Sequence, residues 1–123
     1  VALHDFIASY VVSTGDGDRC GLHELVGAIA SRRSEVAIDD VLTACQQACA
    51  SLASAGHVRV EMTPPRADRP ERDGYTLVSV QDALAAFEDD ATWQAPSDAR
   101  PRYWLIATDE GRAAYISEEV VSL

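Results

Sequence analysis

At 123 residues the chain is long enough for one domain, 1–123, and a hydrophobic share of 47% spread along its length excludes wholesale disorder. The formal net charge is −10, all ten basic residues are arginine, and no segment carries a basic excess, which opposes the attraction to phosphate that nucleic-acid binders draw on. No stretch approaches the roughly 20 apolar residues of a membrane span, and no basic-then-apolar leader opens the sequence, so a soluble cytoplasmic protein is expected.

Leu3, Phe6, Ile7, Tyr10 and Val11 recur at helical spacing and predict a first helix over residues 3–13. Thr14-Gly15-Asp16-Gly17-Asp18 breaks it, because two glycines and two aspartates favour a turn. Leu22, Leu25, Val26 and Ile29 share one face of a second helix, Leu22 to Ser31, closed by Ser31-Arg32-Arg33-Ser34. A third helix is expected from Asp39, whose carboxylate can cap free amides, to Ala55. Val41, Leu42, Cys45, Ala48, Cys49 and Leu52 form its apolar stripe, and Gly56 suits the left-handed position that ends helices.

From His57 to Met62 apolar and polar residues alternate, as in a half-buried strand. Thr63 to Gly74 holds three prolines among charges and reads as an exposed loop. Tyr75 to Val80 predicts a second strand, and Gln81 to Asp89 a short helix with Leu84 and Phe87 inward. A second loop, Thr92 to Pro101, leads to a strand over Arg102–Ala107 and a last helix over Asp109 to Ser117.

Two short signatures frame the second half: Leu52-x-x-x-Gly56-x-Val58 and Leu105-x-x-Thr108-x-x-Gly111. Together with the helices upstream, they resemble the winged helix-turn-helix superfamily, especially bacterial repressors of the multiple-drug-resistance and phenolic-acid-response kinds. The resemblance covers roughly residues 20–116 and implies an α+β domain. Its three-helix core would carry a small antiparallel sheet, with an extra helix in an insert at about 63–101. It makes helices 22–31 and 39–55 the helix-turn-helix pair, joined by Arg32 to Ile38. This chain departs from the pattern in two ways. A wing is usually a simple hairpin, whereas 39 residues, 63–101, separate the two candidate wing strands. Pairing 57–62 with 75–80 instead makes the hairpin ordinary and leaves 102–107 as a third strand. The helix that would read bases has no basic residue from Asp39 to Ala55, and Asp39 and Asp40 stand at its start.

The remaining constellations are thin. Cys20-x-x-His23 and Cys45-x-x-x-Cys49 could supply zinc ligands, but Cys45 and Cys49 fall on the apolar stripe and read as core. Asp16 to Gly21 imitates a calcium loop, but its twelfth position is Gly27 where glutamate is needed. His4, His23 and His57 fit no catalytic pattern, and no glycine-rich phosphate loop is present, so no enzyme, metal or cofactor is expected. Trp104 is expected in the core, and Trp93 as a partly exposed contact residue.

Two functions fit. The first is a non-enzymatic interaction or regulatory module that binds a protein partner, with Trp93, Val120, Val121 and Leu123 as contact candidates. Self-association through the first helix and the tail would make a homodimer. The alternative is a DNA-binding transcriptional regulator. Its contacts would come from Arg32, Arg33, Gln46 and Gln47, and from Arg59, Arg66, Arg69 and Arg72 of the wing, with Arg100 and Arg102 nearby.

Overall fold

The computed structural model describes residues 2–65, 74–94 and 100–116. Among them the order is α1 (Leu3–Thr14), β1 (Cys20–Gly21), α2 (Leu22–Arg32), α3 (Ile38–Ser54), β2 (Val58–Thr63), β3 (Thr76–Val78), α4 (Val80–Glu88), β4 (Arg102–Ala107) and α5 (Asp109–Tyr115). A 3-10 turn, Asp90–Trp93, lies between α4 and β4. The architecture is α+β, with the four strands in one antiparallel sheet of order β1-β4-β2-β3.

Antiparallel partners share a face of the sheet, so the register sorts the strands into an inner and an outer set. Cys20, Val58, Val60, Leu105 and Ala107 point inward and are buried. They meet Ile7 and Val11 of α1, Leu22, Leu25 and Ile29 of α2, and Val41, Cys45, Cys49 and Leu52 of α3 in one core. The outer face carries Arg59, Glu61, Trp104 and Ile106 instead.

The two signatures meet in space. Gly56 takes a φ of 76°, the left-handed region that costs glycine little, and ends α3. The His57 amide donates to the Leu52 carbonyl at 2.9 Å and the Gly56 amide to Ala53 at 3.1 Å, which satisfies carbonyls that the helix end would leave open. Thr108 caps α5 by accepting the Gly111 amide at 3.0 Å, and its hydroxyl donates to the Gly56 carbonyl at 2.6 Å. The Thr108 amide donates to the His57 carbonyl at 3.1 Å. Gly111 lies against that same carbonyl, with no room for a Cβ. Arg112 then ties α5 to the turn after α1 through Asp16, at 2.7 Å.

Several expectations are corrected. The third helix starts at Ile38 behind Ala37, and no side chain caps it; Asp39 lies inside the first turn, where its charge still suits the helix dipole. Both candidate wing pairings occur, because β2 lies between β4 and β3. The sequence reading omitted β1, whose two residues are too short for any periodicity. Trp93 is no exposed contact: it is 5% exposed and its indole N–H donates to the Phe87 carbonyl at 2.9 Å. Trp104 leaves the core for the outer sheet face, half-buried, with its N–H 3.3 Å from the Thr63 hydroxyl.

Candidate interaction site on the third helix and the insert

The insert does not stand away from the domain; it packs on α3. Ser79 caps α4 by accepting the Asp82 amide at 3.1 Å, and the helix turns Ala83 and Phe87, both buried, toward the core with Leu84 partly buried beside them. Asp89 then accepts the Ala91 amide at 3.0 Å and starts the 3-10 turn that seats Trp93. The Phe87 and Trp93 rings lie 6.0 Å apart in a tilted pair. Aromatic burial of this size stabilises by several kcal/mol, on the order of 3–5 when such a ring is truncated, so the insert is held as core rather than as a surface loop.

This packing changes the surface of α3. Gln46 donates to the Asp90 carboxylate at 2.8 Å, so its amide is occupied within the molecule. An open groove of about 600 Å³ runs between the helices, with Thr43, Gln47, Ala50 and Ser51 on one side and Leu84 and Glu88 on the other. Glu88 lines this groove, Asp39 and Asp90 line a second pocket near the start of α3, and neither lining includes a cation among the described residues.

The other proposed contacts are dispersed. Arg32 hydrogen-bonds the Ala28 carbonyl at 3.0 Å and lies 4.9 Å over the Tyr10 ring of α1. Arg33 pairs with Glu35 at 2.6 Å and lies 5.5 Å over Phe6. Arg59 belongs to the outer sheet face, 3.9 Å from Glu61. Only Gln46 and Gln47 share α3, and of those Gln47 is the exposed one. Arg66, Arg69, Arg72, Val120, Val121 and Leu123 lie outside the described residues.

The outer sheet face carries a cluster that sequence periodicity did not single out. Arg19 bonds Glu61 at 3.0 Å and stacks 3.7 Å over Tyr75. Tyr75 meets Trp104 edge-on at 5.9 Å, and Trp104 meets His23 at 5.2 Å. Burial lowers the His23 pKa, with Glu24 opposing and Arg102 adding to the shift. Its Nδ1 is buried and has no hydrogen-bond partner among the described residues.

The thiols are poor nucleophiles. Burial, with Glu24 second, pushes Cys20 up to about 12; burial does the same to Cys45, and raises Cys49 well above the ordinary thiol range. Among the described residues no three His, Cys, Asp or Glu side chains are grouped to hold a metal ion, and no helix is long and apolar enough to cross a membrane. Comparison with models of protein families, with curated proteins and with solved structures gives no match for this chain.

Proposed function

We propose that this chain is a winged-helix module that binds a protein partner and performs no chemistry of its own. The order of elements supports the winged-helix reading: a short strand precedes α2 and α3 and pairs with β4, while β2 follows α3 and joins the same sheet. In that reading α3 is the helix that would enter a major groove.

One observation carries the choice of partner: the insert is packed along α3 and engages Gln46 through Asp90. A helix that reads DNA presents free donors beside a cationic rim. Here Gln46 is bonded internally, only Gln47 of the two amides is left exposed, and the groups the insert adds are carboxylates. Arg32 and Arg33 are drawn to the aromatic side of α1. Self-association through α1 belongs to the same reading, since Leu3, Phe6 and Tyr10 remain only partly buried on that helix.

A polarisation titration with labelled mixed-sequence duplex DNA at low and moderate salt tests the choice. The expected result is no saturable binding at any salt. Binding with a dissociation constant of about 10 μM or tighter and a steep salt slope would overturn it.

A further inference from the structure

Three of the four large hydrophobic side chains exposed among the described residues gather at one place: Tyr75 at 44%, Leu77 at 67% and Val80 at 50%. They sit on β3 and its two flanks. β3 is also the terminal strand of the sheet, and among the described residues no strand lies on its far side. A terminal strand offers unpaired backbone donors and acceptors, and proteins commonly shield such edges with charge or cover them. Here the strand itself, Thr76–Val78, carries no charge, and Arg19, paired with Glu61, lies over the Tyr75 ring at its start.

Beside it lies a cleft of about 800 Å³, between the open end of the sheet and α4. Met62 and Tyr103 line it from the sheet. From α4 come Asp82, Ala85 and Ala86, on one face of the helix, and Asp89, the residue that follows its last turn, lines the cleft beside them. Ala83, Leu84 and Phe87 form the opposite, buried side. The two alanines leave space between two carboxylates that stand about two turns, roughly 10 Å, apart along the helix.

Neither Asp82 nor Asp89 makes an ion pair among the described residues. Both line the cleft together with Tyr103, whose pKa is raised by burial first, then by Asp82 and Asp89. Among the described residues lining the cleft the one cation is Arg100, which is turned to the Ala91 carbonyl and Gln94 Oε1, at 3.2 and 3.1 Å.

We propose that this cleft is where the protein partner docks, as an extended basic segment that adds a strand to β3 and places Lys or Arg side chains, at alternate positions, against Asp82 and Asp89. The inference rests on the protein-partner reading and specifies its chemistry. Backbone pairing along the edge supplies affinity, and the pockets for alternate side chains supply selectivity. Leu77 on the outer side gives the apolar residues of the same segment a surface to cover. Two carboxylates with no ion pair among the described residues, beside an uncharged strand, select a cation by charge complementarity.

Selection of a displayed random peptide library against the intact chain tests the proposal, followed by ¹⁵N amide shift mapping with the most enriched synthetic peptide. The expected peptides lack proline and carry Lys or Arg at every second position. They shift the amides of Thr76–Val78 and lose at least about tenfold in affinity on Asp82→Asn with Asp89→Asn, or on N-methylation of the peptide backbone. Asparagine at 89 keeps the acceptor for the Ala91 amide, and circular dichroism of the variant confirms the fold. Enrichment of peptides without basic residues, shifts confined to the outer sheet face, or no enrichment at all would each overturn the cleft assignment. Shifts on another face would leave the protein-partner reading standing, whereas duplex DNA binding would remove that reading itself.

Discussion

The junction between Leu52–Val58 and Leu105–Gly111 and the insert seated on α3 are held by different forces. The junction is a backbone device: two glycines, one threonine hydroxyl and the two hydrogen bonds of Thr108 to the Gly56 and His57 carbonyls lock the end of α3 to the start of α5. The insert is a side-chain device, in which Phe87 and Trp93 are buried and a single Gln46–Asp90 bond marks the contact. The contrast teaches that the part defining the fold is local and stereochemical. The part that covers α3 depends on which large side chains find the core.

Substitutions in the two regions separate them. The largest loss is expected from Phe87→Ala, about 4 kcal/mol, because truncating a fully buried aromatic leaves a cavity beneath α4 and removes support for Trp93. Urea unfolding of this variant measures it, and a loss near zero would mean that the insert is an appendage. Next comes Gly111→Ala, about 3 kcal/mol, since its Cβ would be driven into the His57 carbonyl and the backbone of one signature would have to move.

Smaller effects divide the junction further. Thr108→Ala removes the α5 cap and the bond to Gly56, an expected loss of about 1.5 kcal/mol in the same assay. Gly56→Ala should cost about 1 kcal/mol by strain alone, because open space surrounds the site and only the positive φ resists a side chain. A cost at Gly56 as large as at Gly111 would show that packing rather than dihedral preference sets both.

His23 offers the mildest test, and it lies outside both regions. Its folded pKa is below the ordinary value of 6.5, so the unfolded chain takes up the proton first as pH falls. Stability contributed by the neutral ring is therefore complete above that value and is lost as pH drops toward the folded pKa. Urea midpoints measured at about pH 7.5 and about pH 5.5 should show this decline, and His23→Gln should flatten it.

The junction was legible in the sequence because its chemistry is local. Glycine past an apolar stripe and a threonine three residues before a glycine each report a helix end without knowledge of the rest. The strand Arg102–Ala107 was legible to the residue for a similar reason, its boundaries being set by Pro101 and Thr108. The pair Cys20–Gly21 was not, since a strand that short exists only through its partner, β4. Trp93 was misread because the neighbouring proline-containing stretch reads as loop. Its burial depends on the Phe87 carbonyl six residues upstream and on α2, which local pattern does not encode. Asp82 and Asp89 carry a signal in the sequence: their i, i+7 spacing, with alanines between, places Asp82 on the side of α4 away from Phe87 and Asp89 just past the helix end.

Whether the insert is seated on α3 decides the account, and Trp93 reports it directly. In a Trp104→Phe variant, Trp93 becomes the only tryptophan. Blue-shifted emission that resists acrylamide quenching until the whole domain unfolds is the predicted result. Red-shifted emission quenched freely in the native protein would contradict it, since the insert would then be off α3 and Gln46 open to other partners.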